Sequence, residues 1–434
     1  MLTRRKPQRL NPSATLSTDQ GMTDWIRTFS NLNPTSLRHS LDLWRQTHSL
    51  PWLVAAISQA HGSEAASASL VAAAEKVPAN SPAYLTLTFH RLRLLAESGQ
   101  TAVARHGLDD VLQNSGLDLT QNSRNQFLAL RMTLTRDLSD WLHYALRSPV
   151  DMGGFGYVPV GQTPQERTGP LFDSDASTTL TGKMPMSTVV DAAQSTALPL
   201  GLRKEIAITA WTRAILLHNE AVAQRVTPVL AALAPELRKF LAAYATVKPG
   251  PARNFAAVFL LLHFPGMRPF VPTGVPRWSL FGDPERLAQI DDFRDNWWCG
   301  MGPPAATGSP SYVYYNYYTM YRGLSQPLRE IYPNGVVADP SFLTASERSA
   351  AKKEWAALEQ LPTAPDWLGK ETLAWARIHP NDPRVPEALH LVVRVTRFGC
   401  VDADTQTYSK EAFELLHLTY PASPWTKKTP YWFN

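Results

Sequence analysis

Carboxylates beside aromatic side chains are the residues of this chain that could do chemistry. Asp291, Asp292 and Asp295 precede Trp297 and Trp298 in the segment DDFRDNWWCGMGPP. Spacings of three and four put Asp295 on one helical face with Asp292 or with Asp291. Two carboxyl groups that face each other across a cleft can hydrolyse a glycosidic bond. The alternative interpretation, solvated acids on a helix surface, is the one that we favour.

Aromatic residues follow at high density. Six tyrosines fall within ten residues of SYVYYNYYTMYRG, and they are Tyr312, Tyr314, Tyr315, Tyr317, Tyr318 and Tyr321. Their spacing puts rings on every face of a helix, so some must be exposed or at an interface. With Trp297 and Trp298 they form a candidate binding platform for sugars or an extended peptide. An aromatic core in a proline-rich region is the favoured alternative.

The two cysteines of the chain are Cys299 and Cys400. Neither has a histidine nearby at ligand spacing, so no metal site is predicted. A disulfide between them would close a loop of about 100 residues and add roughly 4–5 kcal/mol in the loop-entropy model. Such a bond would place the protein outside the cytoplasm. Two unpaired, buried thiols are the alternative.

Standard catalytic and cofactor motifs do not occur in the sequence. It has no HExxH, Walker or dinucleotide-binding motif, and no serine in a nucleophile elbow. Gly153–Gly156 is not followed by the Lys-Ser/Thr of a phosphate loop. His90, His218, His390 and His417 lie within apolar helical patterns, where buried structural histidines are usual. We therefore predict no cofactor and favour a non-enzymatic protein.

Charge and hydropathy exclude two classes of partner. Arg4, Arg5, Lys6 and Arg9 supply four of the five excess positive charges of the 434-residue chain, so no nucleic-acid surface is predicted. The strongest apolar run, Ala256–His263, predicts a buried helix and is shorter than the roughly 18 residues of a transmembrane helix. An export signal upstream of Met1 would place the protein in the periplasm or cell envelope, and without one it would be cytoplasmic.

The elements that must position these residues are helical hairpins. The sequence of Ser81–Gly116 predicts two helices. The first begins at Ser81-Pro82 and ends at Gly99, and the second follows directly. Apolar residues recur at three- and four-residue spacings, and they are Leu85, Phe89, Leu92, Leu95 and Ala96, then Ala104, Leu108, Val111 and Leu112. An earlier unit joins Pro51–Gln59 to Glu64–Lys76. One hairpin cannot bury both faces, so each needs neighbours.

These two units resemble the tetratricopeptide repeat (TPR) family. The resemblance is carried in the earlier unit by Ala66, Leu70, Ala73 and Pro78, and in the later one by Gly99, Ala104, Leu108, Val111 and Leu112. Matching Ala66 to Ala104 predicts a repeat of about 38 residues. The resemblance implies an array of helical hairpins that binds a protein or peptide partner.

The C-terminal stretch His379–Trp425 is similar to TPR proteins of bacterial cell-envelope assembly. That similarity is carried by Asp382-Pro383, Pro386–Leu389, Phe413, Pro421 and Ser423. In that family such a "YP-x-S" element ends one repeat and begins the next. The similarity implies architecture and a bacterial cell-envelope setting.

The chain is predicted to be all-α, a TPR-like solenoid around an irregular insert. The predicted segments are a flexible basic tail (1–20), N-terminal hairpins (21–148), a Gly/Pro-rich loop (149–200), a helical hairpin (201–247), a Pro/aromatic-rich irregular region (248–342) and C-terminal TPR-like helices (343–434). Within them, Arg124–Leu146 is predicted as one long helix, and Pro228 as a helix break. An interaction protein is the leading hypothesis. An α/α-toroid-like carbohydrate-active enzyme, with its groove at Trp297, Trp298 and Tyr312–Tyr321, is the alternative.

Overall fold

The computed structural model describes residues 21–31, 33–148, 170–271, 298, 337–398 and 403–432. About 70% of this described part is helical, and neighbouring helices along the chain pack on each other. The predicted all-α class is therefore confirmed. The chain divides into two compact units, Met1–Asp118 and Leu119–Asn434.

The described part of the first unit consists of three consecutive helical hairpins. Each helix contacts the next one along the chain, and α1, α3 and α5 also contact one another in turn. The odd-numbered helices therefore form one layer, which we call the odd-helix layer. The helices are α1 (Met22–Ser30), α2 (Pro34–Thr47), α3 (Leu50–Gln59), α4 (Ser67–Glu75), α5 (Tyr84–Glu97) and α6 (Thr101–Gln113).

The second and third hairpins are offset by 34 residues. This offset separates the first residues of α3 and α5 and also those of α4 and α6. The period of about 38 residues is therefore wrong, because Ala66 precedes α4 whereas Ala104 is already inside α6. At the 34-residue offset Ala73 corresponds to Gly107, where a Cβ atom would lie 2.5 Å from Leu92 Cδ2. A larger residue there would have to displace the terminal methyl group of Leu92, which is buried in the core.

The turn between α5 and α6 ends as the sequence predicts. Gly99 has a φ of +85°, the left-handed conformation that often follows a helix end. Its N–H donates to the carbonyl of Ala96 at 3.1 Å, and the N–H of Gln100 donates to the carbonyl of Leu95 at 2.9 Å. The start differs from the prediction: α5 begins at Tyr84, after a turn that opens at Ser81.

Arg93 and Glu97 of α5 tie the third hairpin to the second. Arg93 Nη2 donates to the carbonyls of Ile57 at 3.0 Å and Ala60 at 2.9 Å, which lie at the C-terminal end of α3. Glu97 accepts from Arg93 Nη1 at 2.7 Å and from the backbone N–H of Gly62 at 2.7 Å. These bonds satisfy carbonyls that a helix end leaves without partners, and so they favour one register between the hairpins.

Among its described residues, the second unit contains thirteen helices and one short antiparallel pairing, β1 (Leu146–Arg147) with β2 (Leu171–Phe172). A 3₁₀ turn, Pro235–Leu237, joins α12 to α13. The helices are α7 (Gln121–Met132), α8 (Leu138–Ala145), α9 (Ser174–Gly182), α10 (Met186–Gln194), α11 (Leu200–Leu216), α12 (Glu220–Leu233), α13 (Arg238–Thr246), α14 (Pro251–His263), α15 (Ala345–Glu359), α16 (Ala364–Ile378), α17 (Val385–Phe398), α18 (Thr405–Thr419) and α19 (Pro424–Lys428).

Two helices lie where the sequence predicts loop. The segments of α9 and α10 look like loop because α9 is mostly Ser, Thr and Asp, yet both helices are largely buried. Asp175 of α9 is fully buried and pairs with Arg147 at 3.4 Å, and Thr179 bonds the carbonyl of Asp175 at 2.7 Å. Asp175 can be buried here because Arg147, which lies 28 residues earlier in the chain, pairs with it. By contrast, α14 confirms the buried helix predicted at Ala256–His263, although it lies in the region 248–342 predicted to be irregular, and Pro251 occupies its first turn.

Two helix boundaries also differ from prediction. The single helix expected over Arg124–Leu146 is two helices, because the chain turns after Met132 and Asp137 caps α8 by accepting from the N–H of Asp140 at 2.8 Å. Conversely, Pro228 does not end a helix but lies inside α12. The second difference shapes the site described next.

Candidate functional site

A cleft of about 400 Å³ lies between α12, α13 and the start of α14 in the second unit. Its lining combines buried residues with exposed ones, so the cleft opens to solvent. The buried residues are Thr227, Leu241, Tyr244 and Arg253, which we call the floor of the cleft. The other lining residues are Gln224, Pro228, Ala231, Arg238, Ala242 and Ala245.

Pro228 forms part of the wall through its effect on α12. Proline has no N–H, so the carbonyl of Gln224, four residues earlier, loses its usual helical donor. Both residues line the cleft, and both are exposed. The helix nevertheless continues, because Val226 and Leu230 on its other side are fully buried. The wall therefore carries a backbone acceptor that helix geometry leaves free.

Tyr244 is a largely buried residue whose hydroxyl opens to the cleft. Its side chain is 2% exposed, and its ring packs edge-to-face on Trp211 with centroids 5.5 Å apart. Its hydroxyl has no hydrogen-bond partner within the part of the chain that the structure describes. Burial, helped by the negative charge of Glu220, raises the pKa of Tyr244 to about 12. The phenol therefore stays protonated at neutral pH.

Arg253 and Glu220 cancel each other beside Tyr244. Arg253 Nη1 donates to Glu220, and its Nε donates to the carbonyl of Val247 at 2.5 Å. Gln224 Nε2 also donates to Glu220, at 2.9 Å. The guanidinium of Arg253 lies 5.4 Å from the ring centroid of Tyr244. This pair holds the floor in place and adds no net charge to the cleft.

Arg238 gives the cleft its unbalanced charge. Its Nε donates to the carbonyl of Ala231 at 3.4 Å, which orients the side chain at the rim. Among the described residues it forms no ion pair with a carboxylate, whereas its neighbour Glu236 pairs with Lys204. The cleft therefore carries one positive charge on an exposed guanidinium.

The floor is fixed by a short chain of hydrogen bonds. Trp211 Nε1 donates to Thr227 Oγ1 at 3.1 Å, and Thr227 donates to the carbonyl of Ala223 at 2.7 Å. The hydroxyl of Thr227 is thus already used. The groups left for a ligand are the Tyr244 hydroxyl, the Arg238 guanidinium and the Gln224 carbonyl, above an apolar surface of alanine, leucine and proline. Such an arrangement can bind and orient a ligand.

Of the residues that the sequence singles out for a site, Trp298 is the one described. It is 1% exposed, its ring centroid lies 6.2 Å from that of Trp367, and its carbonyl accepts from the N–H of Ala364 at 2.9 Å. Trp298 therefore helps position the start of α16. The remaining candidates lie outside the described residues, so the platform, the acid pair and the disulfide stay predictions: Asp291, Asp292, Asp295, Trp297, Cys299, Tyr312, Tyr314, Tyr315, Tyr317, Tyr318, Tyr321 and Cys400.

The four histidines predicted to be buried differ in their exposure. His90 and His390 are buried, as predicted, and His417 is half-buried. His218 is exposed instead and ends α11 with a φ of 51°. The prediction for His218 is wrong because it lies one residue past the helix cap Leu217.

The described ranges contain neither a cluster of metal ligands nor a membrane-spanning helix. Those ranges bring together no group of three or more Asp, Glu, His or Cys side chains suited to a metal ion. They also contain no helix both long and apolar enough to cross a bilayer.

Comparison with known proteins does not identify a family. No protein-family model matches this chain, and neither does any curated protein or any solved structure.

Proposed function

We propose that this chain is a non-enzymatic interaction protein whose helical hairpins bind a protein or peptide partner. The odd-helix layer of the first unit is the observation that carries the proposal. Three hairpins follow one another there, two of them at a 34-residue offset. That offset equals the roughly 34-residue TPR repeat and so supports the proposed resemblance. Stacked hairpins of this kind present an extended surface for binding.

The end of the odd-helix layer carries exposed apolar side chains. Met22 and Ile26 of α1 are one helical turn apart and are 72% and 51% exposed. The other side of the same helix is anchored, because Asp24 is buried and accepts from His39 Nε2 at 2.9 Å. A rigid helix with an uncovered apolar edge is suited to contact a partner.

The C-terminal helices support the cell-envelope part of the proposal. A helix ends at Thr419 and the next begins at Pro424, where Ser423 caps it by accepting from the N–H of Trp425 at 3.2 Å. Tyr420 reaches back to donate to the carbonyl of Pro380 at 2.6 Å. One helix therefore ends and the next begins within five residues, as the "YP-x-S" element implies. We therefore propose a bacterial cell-envelope setting for the partner.

Site-specific photocrosslinking in cells tests the proposal. A photoreactive amino acid replaces Ile26 in the odd-helix layer of the full chain, and a matched variant carries it at Val103 of α6, which is 56% exposed. We expect a protein adduct from position 26 that excess unlabelled chain suppresses, and none from position 103. If neither position gives an adduct that unlabelled chain can suppress, the proposal is wrong.

The carbohydrate-active alternative depends on residues outside the described part of the chain. It requires two carboxyl groups from Asp291, Asp292 and Asp295 to face each other at roughly 5–10 Å. Replacing each aspartate by asparagine in an assay on polysaccharides would test it separately. No described contact favours it over the interaction hypothesis.

A further inference from the structure

We propose that the cleft between α12, α13 and α14 binds a small monocarboxylate that carries a compact apolar body. This site is independent of the partner surface proposed for the first unit. It rests on what the lining residues leave unsatisfied and on the sign of the charge that they present.

The charge of the cleft selects an anion. Glu220 is neutralised by Arg253, whereas Arg238 has no carboxylate partner in the described part of the chain. Because only one guanidinium is unbalanced, a single negative charge matches it, and a doubly charged phosphate would keep an excess. A cation would be repelled by Arg238. The planar fork of an arginine also fits a carboxylate well.

The hydrogen-bonding groups select the same ligand. Tyr244 is 2% exposed as a whole, but its hydroxyl opens to the cleft and has no partner among the described residues, so an oxygen atom of a ligand can accept from it. A carboxylate has two oxygens, and it can accept from Tyr244 and from Arg238 together. A donor that no described residue uses and that opens to an apolar cleft can bind an oxygen atom of a ligand.

The remaining surface selects an apolar body. Leu241 is 1% exposed beneath the cleft, and Ala231, Ala242 and Ala245 leave space above it with their small side chains. The volume of about 400 Å³ lies at the lower end of small-molecule sites, which occupy roughly 300–1,000 Å³. A phenyl or short alkyl group attached to the carboxylate fits this space.

Isothermal titration of the full chain with 4-phenylbutanoate tests the site, with 4-phenylbutan-1-ol as the uncharged probe. We expect saturable binding of the acid and at least about tenfold weaker binding of the alcohol, because the charge-assisted hydrogen bonds are lost. Arg238→Gln should weaken the acid about tenfold or more. Tyr244→Phe should weaken it about fivefold and leave the fold intact, because no described residue uses that hydroxyl.

Lys239→Gln is the matched control, since it removes a neighbouring exposed charge that does not line the cleft. It should leave the affinity for the acid within about twofold, because exposed charges outside the site are screened. The proposal is overturned if the acid does not bind saturably, or if acid and alcohol bind equally. It is also overturned if Lys239→Gln weakens the acid as much as Arg238→Gln does. Tighter binding of a peptide ending in phenylalanine would assign the cleft to a chain terminus instead.

Discussion

Protonation of His90 should destabilise the first unit in acid. His90 lies in the middle of α5, is 3% exposed, and accepts a hydrogen bond at Nδ1 from Arg93 Nε at 3.4 Å. Burial, and then the nearby positive charge of Arg93, lower the pKa of His90 from 6.5 to about 3. A proton on this ring would lose the hydrogen bond and place two cations together.

The sign and size of the effect follow from the two pKa values. The folded state binds fewer protons than the unfolded state below about pH 6.5, so stability is full above that pH and falls as the pH approaches 3. Each unit of pKa difference corresponds to about 1.4 kcal/mol. Between about pH 7.5 and pH 4.5 the loss is then about 3 kcal/mol, rising to about 5 kcal/mol below pH 3.

Urea unfolding of the full chain, followed by far-UV circular dichroism, measures this pH-dependent loss of stability. His90→Asn removes the titration but places an amide oxygen near the position of Nδ1. The free energy of unfolding should fall between the two pH values by about 3 kcal/mol more in the wild type than in this variant. The two compact units can unfold in separate steps, so the transition that moves reports the unit containing α5.

His106→Asn on α6 is the matched control. Its side chain is 83% exposed and lies 3.5 Å from Asp110, a pair that contributes little at a surface. It should leave the pH dependence unchanged. Equal pH dependence in the wild type and in His90→Asn would refute the reasoning, because the buried ring would then carry no linked proton.

Three further substitutions test the fold. His218→Gly should raise the free energy of unfolding by about 0.5–1 kcal/mol, since glycine reaches a φ of 51° without strain, and thermal unfolding would show it. Gly107→Val should destabilise the first unit by about 2 kcal/mol or more, because its Cβ would lie 2.5 Å from Leu92 Cδ2. Gly201→Ala, with nothing within 4 Å, is the control in the same urea titration. Asp137→Ala should cost about 1 kcal/mol by removing the cap of α8, and an unchanged urea midpoint would contradict this.

The first unit was largely predictable because its signals are local. The apolar spacing of α5 and the glycine at position 99 act over three to five residues, so the sequence predicts the hairpin and the structure confirms it. The repeat period was not predictable in the same way. Ala66 and Ala104 look equivalent in sequence, but only the helix starts show that Gly107 corresponds to Ala73.

The cleft could not be predicted from the sequence, although a signal exists in Pro228. A proline inside a helix costs about 3 kcal/mol, which argues for a break. Burial of Val226 and Leu230 can return roughly 1.5–3 kcal/mol each, which outweighs that cost once α11 covers them. Whether the helix continues through Pro228 depends on packing by residues that are distant in the chain. The proline alone therefore does not predict it.

By itself, the sequence determined the all-α class, most helices and the absence of standard catalytic motifs, because periodicity and motif spacing are local properties. Tertiary structure decided which polar residues are buried and which remain available. It buries Asp175 against Arg147, neutralises Glu220 with Arg253, and leaves Arg238 at a rim. The physical reason is that a polar or charged group can be buried only where a partner satisfies it. Those partners come from elements that are far apart in the chain.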